Sequence, residues 1–217
     1  MDLSLTWPQI AFLLTGLLWT LMLSLLAFVG GGLLGFLVAI GRGNGPGWSR
    51  WIVMIYVKLV QGTPLLVLLS MAYFALPPLG VPLSPLGAAA LGLAVYVSAY
   101  LGEIWRGCIE SVPRTQAEAA ECLALSWRQR LVHVILPQAL KIATPPTVGF
   151  MVQIVKNTSL ASAIGFVELA RAGQIVNNAT LRPFVVFVLV ALLYFTLCYP
   201  LSRWSQRLER KFNVAHR

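Results

Sequence analysis

Charge is absent from three long stretches of this chain. No Asp, Glu, Lys or Arg lies between Asp2 and Arg42, between Lys58 and Glu103, or between Arg182 and Arg203, leaving uncharged runs of 39, 44 and 20 residues. A helix needs about 20 apolar residues to cross the hydrocarbon core of a bilayer. The runs therefore predict membrane spans rather than buried core helices. Five are expected, over about residues 11–41, 51–76, 86–105, 133–155 and 183–202. The first is longer than a straight crossing needs, so it tilts or projects. The second stops at Pro77-Pro78, because the loop from Pro77 to Pro85 holds four prolines and a glycine and cannot continue a helix. Pro137 and the pair Pro145-Pro146 predict a kinked fourth span. The stretch from Lys156 to Arg182 is too mixed in polarity to span easily. The expected architecture is all-α and integral to the membrane, a single transmembrane domain over 1–217. No cleaved signal peptide is expected, since no basic segment precedes the first run.

Composition agrees with this reading. Only 11% of residues are charged and 58% are hydrophobic, against about 25% charged in soluble domains. The net charge of +9 invites a nucleic-acid reading until its placement is considered. With the N-terminus outside, the inner loops and tail hold Arg42, Arg50, Arg106, Arg114, Arg128, Arg130, Arg203, Arg207, Arg210, Lys211 and Arg217. The outer side holds only Lys156, Arg171 and Arg182. Basic residues collect in cytoplasmic loops, so the N-terminus is expected outside and the C-terminus inside. Lys58 and Lys141 fall within spans and can snorkel. Most of the tryptophans lie near predicted span ends; Trp19 does not.

Small residues recur at four-residue steps: Gly16, Thr20, Ser24, then Ala27, Gly31, Gly35, Ala39 in the first span, and Ala90, Ala94, Ser98, Gly102 in the third. Such rows let helix backbones approach closely in a membrane. They either hold one bundle together or meet a second subunit.

The segment between the third and fourth spans carries most information. Gln116 to Arg128 is rich in helix formers. Thr115 is the expected N-cap, with Glu118 at capping-box spacing and in the first turn. The face Ala119, Ala120, Leu123, Ala124, Trp127 is small and apolar. It suits insertion into a partner's groove or rest on the membrane surface.

Candidate polar groups inside the bundle are few. Gln61 and Thr63 flank Pro64, which frees backbone carbonyls as transport sites often require. Ser98 and Glu103 lie in the third span, Gln153 late in the fourth, and Lys156, Asn157, Thr158 and Ser159 follow it. Glu103 fits either a solvated helix end or the path. The run Lys156 to Ser159 fits either a helix cap or the path. An unpaired acid on the path suits basic substrates and an unpaired base acidic ones. No carboxylate is expected at mid-depth, which counts against an ion-coupled secondary transporter. An intramembrane enzyme needs clustered acidic, His, Cys or Ser groups. Here Asp2 is the sole aspartate, His133 and His216 are far apart, and Cys108, Cys122 and Cys198 have no metal-ligand spacing. No phosphate-binding loop occurs. The glycine-rich run Gly41–Gly47 has Trp48 in place of the lysine and reads as a tight cytoplasmic turn.

Glu118-Ala119-Ala120, three residues, a small residue at 124, nine residues, then Val134-Ile135-Leu136-Pro137 resembles the EAA loop of ATP-binding-cassette importer permeases. Ala124 stands where the family has glycine, which removes the freedom to take positive φ and weakens the case for a sharp turn. Gln61-Gly62-Thr63-Pro64-Leu65-Leu66, Glu103 to Ala120, and Lys156-Asn157-Thr158-Ser159-Leu160 resemble the polar amino-acid branch, which usually has arginine where this chain has Gln61. The resemblance covers nearly the whole chain. It implies the type I importer permease fold, with five transmembrane helices and a cytoplasmic coupling helix, in a bacterial inner membrane. It implies one half of a dimer with an identical or similar permease, forming the path for a polar amino acid. An external binding protein would deliver that amino acid. A pair of cytoplasmic ATPase subunits would hold ATP and Mg, with no cofactor on this chain. Glu118, Ala119, Ala120, Ala124 and Leu125 would dock on the ATPase, with Glu118 meeting a basic group.

Overall fold

A computed structural model describes residues 5–43 and 47–213. The turn expected over Gly41–Gly47 falls on residues 44–46, which with Asp2, His216 and Arg217 lie outside the described residues. Those residues are almost entirely helical: α1 (Trp7–Gly43), α2 (Gly47–Gly62), α3 (Leu65–Ser70), α4 (Pro85–Glu110), α5 (Arg114–Cys122), α6 (Trp127–Gln129), α7 (Leu136–Asn157), α8 (Leu169–Thr180) and α9 (Pro183–Asn213). Three of these helices, α1, α4 and α9, are each long and apolar enough to cross a membrane. Counting two bent helix pairs as one span each raises the number to five.

The uncharged run of the second expected span is not one straight helix. Pro64 takes φ −57° and ψ 136°, the extended geometry that its ring allows and a helix forbids. The direction changes by 104° between Gly47–Gly62 and the helix from Leu65 to Ala75. A wide π turn at Met71–Ala75 and a 3-10 turn at Pro77–Leu79 then close the segment. α4 starts as its sequence directs. Ser84 is the N-cap, its hydroxyl accepts from Gly87 N–H at 3.1 Å, and Pro85 follows in the first turn.

In the fourth run α7 stays helical through Pro145 and Pro146. Thr144 and Thr147 hydroxyls donate to the Leu140 and Ala143 carbonyls at 2.7 and 2.6 Å, and helix neighbours keep the segment in register. The π turn falls earlier, at Arg130–Ile135, just before Pro137. The direction changes by 52° before α8, where Gly165 takes φ +85°.

The small-residue rows are used inside this one chain. A Cβ on Gly31 would lie 2.4 Å from Val97 Cβ, one on Gly102 2.5 Å from Val38 Cγ1, and one on Gly35 3.1 Å from the Ser98 carbonyl. α1 and α4 therefore pack backbone to backbone along their length. Gly16, Thr20 and Ser24 face elsewhere: a Cβ on Gly16 would meet Ala172 and Leu169 of α8. The main core is Leu23, Ala27, Leu69, Leu93, Val97, Leu101, Ile154 and their neighbours. A second cluster joins Leu13, Leu169, Ala172, Val176, Val186 and Val190. The stretch between Lys156 and Arg182 is thus folded into the bundle, with α8 packed on α1 and α9. Trp19, which matched neither aromatic belt, meets Phe166 edge to face at 5.8 Å.

Candidate functional site

The loop between α4 and α7 is built from the root up. Pro113, not Thr115, is the N-cap of α5, with φ −55° and ψ 133°. Its fixed φ ends the preceding chain in extended form, and its carbonyl accepts from Gln116 N–H at 3.0 Å. Thr115 is thereby drawn inside the helix, and the expected capping box with Glu118 does not form.

The far end closes in a Schellman turn. Leu125 N–H donates to the Ala120 carbonyl at 3.2 Å and Ala124 N–H to the Glu121 carbonyl at 2.8 Å, the paired bonds of that motif. Ala124 takes φ +55°. The sharp turn is made with alanine in the left-handed region, at a cost of about 1 kcal/mol relative to glycine. Ser126 then caps α6, donating its N–H to the Gln129 side-chain oxygen at 2.9 Å.

The loop is fastened at its base. Arg130 Nη1 meets Glu121 Oε2 at 2.5 Å, and Gln138 Nε2 donates to Gln116 Oε1 at 3.4 Å. Val112 and Ala120 are buried. Of the expected docking face, Ala120 therefore points inward. Ala119 and Ala124 are exposed, Leu123 is 76% and Trp127 53% exposed, and Leu125 is half-buried. Glu118 is exposed and has no ion-pair partner among the described residues.

Behind this loop a charge network ties α1 to α4. Arg42 Nη1 contacts Glu103 Oε1 at 2.6 Å, Arg106 Nη2 contacts Glu103 Oε2 at 3.0 Å, and Arg106 Nη1 contacts Glu110 at 2.6 Å. Glu103 is therefore held by two arginines and is not a free acid on a path. Ser98 is also accounted for: it is fully buried, its Oγ lies 2.6 Å from Tyr56 OH, and it donates to the Val95 carbonyl at 2.7 Å. Thr158 is fully buried and donates to the Val155 carbonyl at 2.7 Å. These three are structural ties rather than open polar groups.

The other named residues form two groups. Gln61 and Thr63 stand at the α2–α3 break, Gln61 donating to the Ala99 carbonyl at 3.4 Å and Thr63 to Leu59 at 2.7 Å. Gln153, Lys156, Asn157 and Ser159 gather at the end of α7. Gln153 donates to Asn157 at 3.1 Å, Ser159 to the Lys156 carbonyl at 2.7 Å, and Lys156 is exposed. α3 packs on the 3-10 turn Thr158–Ile164, which links the two groups. Beside the second, Tyr96 and Tyr100 of α4 meet at 4.4 Å, and Phe150 of α7 stacks on Tyr100 at 5.7 Å.

Glu168 escaped the sequence reading. It is fully buried and caps α8: its carboxylate accepts from Ala170 and Arg171 N–H, both at 2.9 Å. Tyr194 OH of α9 donates to it at 2.6 Å and Thr20 of α1 at 3.4 Å, and Thr20 Oγ1 accepts from Leu169 N–H at 3.2 Å. The helix N-terminus suits a negative charge there. Glu168 is thus a buried carboxylate inside the bundle, with its oxygens engaged by α1, α8 and α9. A signal was present: Glu168 is the one acid between Glu121 and Glu209, set in the apolar run Ile164–Ala170.

Comparison with known proteins bears on this arrangement. The sequence profile for binding-protein-dependent transport system inner membrane components matches residues 31–214. The chain is 32% identical over 216 residues to the probable glutamine ABC transporter permease GlnM of Bacillus subtilis, covering 100% of both. It is 33% identical to the glutamine transport system permease GlnP of Escherichia coli K12, covering 98% of both. It is 34% identical to the L-cystine transport system permease TcyB of Bacillus subtilis, over 95% of this chain and 88% of that one. Among solved structures, an amino acid ABC transporter crystallised with histidines superposes with a TM-score of 0.88 at 29% identity, over 96% of this chain and 99% of that one. The MetNI methionine ABC transporter, in an inward-facing form, superposes at 0.77 and 19% identity over the same shares, and this likeness concerns fold alone.

Proposed function

The chain belongs to the inner-membrane components of binding-protein-dependent transport systems, and on that footing we propose that it forms half of the path for a polar amino acid. It is a permease subunit of an ATP-binding-cassette importer and a multi-pass protein of the inner membrane. In this reading a second permease, identical or similar, supplies the other half, and an external protein delivers the substrate. ATP and Mg belong to a cytoplasmic ATPase pair, and this chain has no nucleotide site of its own. The N-terminus faces outward, and the basic tail and α5 face the cytoplasm.

One observation carries the reading. α5 and the turn after it present Glu118, Ala119, Leu123, Ala124 and Trp127 to solvent while the base of the loop is fastened through Glu121–Arg130 and Gln116–Gln138. An exposed short helix with a small apolar face fits a partner's groove. A fastened base passes any displacement of that helix to the start of α7. At the other end of α7, Gln153, Lys156, Asn157 and Ser159, with Gln61 and Thr63 beyond α3, are the polar groups assigned to the path. With Glu103 neutralised by Arg42 and Arg106, the open charge in this set is Lys156. That charge favours a substrate bearing a carboxylate or a neutral amide over one with a cationic side chain.

The test is ATP hydrolysis by the reconstituted complex, with its binding protein, across a panel of amino acids. Neutral-amide or acidic amino acids should stimulate turnover and cationic ones should not. Glu118→Lys should remove the stimulation while the complex stays assembled. Full stimulation in that variant would rule out the coupling role given to Glu118.

A further inference from the structure

Between α7 and α9, toward the end of the bundle that carries the basic tail, lies an open cavity of about 300 Å³ lined by Ile142, Pro145, Pro146, Gly149, Ser205 and Glu209. None of these residues belongs to the coupling loop or to the polar path. The polar groups here are of one kind. Pro145 and Pro146 have no N–H, so the Lys141 and Ile142 carbonyls lose the donors that a helix normally supplies. Ser205 gives its hydroxyl hydrogen to the Pro145 carbonyl at 3.0 Å, which leaves its oxygen lone pairs for another donor. Glu209 is exposed and makes no ion pair among the described residues, and no lysine or arginine lines the cavity. Gly149 keeps the floor open: a Cβ there would lie 3.3 Å from Ser205 Oγ.

We propose that this cavity binds a primary ammonium group. Such a group carries one positive charge and three donors, to set against the Glu209 carboxylate, the Ser205 oxygen and the freed Ile142 carbonyl. The walls formed by Ile142, Pro145 and Pro146 receive the carbon that bears it. A quaternary ammonium has the charge without the donors. An anion finds no donor side chain here beyond a hydroxyl already engaged. Two sources carry the required chemistry: the ethanolamine headgroup of a membrane lipid, and the α-ammonium of a free amino acid.

The test uses the full chain purified in detergent, followed by thermal unfolding with ethylammonium, tetramethylammonium or potassium chloride at equal ionic strength. Ethylammonium should raise the midpoint, with a shift that grows with the logarithm of its concentration above the dissociation constant, and the other two cations should leave it in place. Glu209→Gln, a change at an exposed position, should remove most of the ethylammonium shift. The comparison among cations on the unaltered chain needs no variant. Equal shifts with all three cations, or an undiminished shift in Glu209→Gln, would overturn the proposal. Two further arms identify the source. Native mass spectrometry that shows phosphatidylethanolamine retained over phosphatidylcholine, and lost in Glu209→Gln, assigns the lipid. Competition by glutamine but not by N-acetylglutamine assigns the amino acid.

Discussion

Two glutamates, Glu118 within the short helix α5 and Glu168 at the head of the short helix α8, have opposite surroundings. Glu118, in α5, is exposed and unpaired among the described residues. Glu168, at the head of α8, is fully buried and accepts from two backbone N–H groups, Tyr194 and Thr20. A buried carboxylate is tolerated only when its lone pairs are satisfied, so Glu168 acts as a rivet through α1, α8 and α9. An exposed one costs the fold nothing and is free for a partner. The same side chain therefore serves assembly of the bundle in one place and recognition in the other. The difference lies in what the fold sets around it.

The largest expected effect tests the rivet. Glu168→Ala strips the cap from α8 and leaves Tyr194 OH and buried N–H groups without an acceptor. The cost should be about 3 kcal/mol, read as a lowered unfolding midpoint of the detergent-solubilised chain. A loss under about 0.5 kcal/mol, the range of ordinary surface changes, would mean that Glu168 is not the tie described. Next, Glu118→Lys should lower substrate uptake by the complex about tenfold or more, equivalent to about 1.4 kcal/mol, with the unfolding midpoint unmoved. If stability falls instead, Glu118 belongs with Glu168 and the contrast fails.

Tyr194→Phe sharpens the account of the buried site. It deletes one donor and keeps the ring, so the loss should be about 1 kcal/mol, clearly less than for Glu168→Ala. Equal losses would make Tyr194 rather than the helix cap the principal contact. The smallest effect is expected at the turn beside Glu118. Ala124→Gly relieves the left-handed alanine at φ +55° and should slow amide exchange in α5 by a few-fold, corresponding to about 0.5–1 kcal/mol. Faster exchange there would show that chain entropy, not backbone strain, governs the loop.

Much of the architecture was legible because its signals are local. Pro77-Pro78 closes the second run, Pro64 disturbs the helix within it, and the uncharged runs mark the apolar helices, since each depends on neighbours in sequence. The small-residue rows predicted close packing, and Gly31, Gly35 and Gly102 supply it. Two readings did not hold. Thr115 looked like a cap, but Pro113 two residues earlier, with its own fixed φ, sets the start of α5. Glu103 and Ser98 looked available, but Arg42 lies 61 and Tyr56 42 residues away in sequence, distances that no periodicity reveals.

By itself, then, the order of residues determined that the chain lives in a membrane, which stretches of it are apolar enough to cross, and which loop resembles a coupling loop. These follow from hydrophobicity and from backbone rules that act over a few residues. Tertiary structure alone decided which polar groups are spent and which remain free. Burial and pairing are properties of chain segments brought together from far apart, as Thr20, Glu168 and Tyr194 are brought together here.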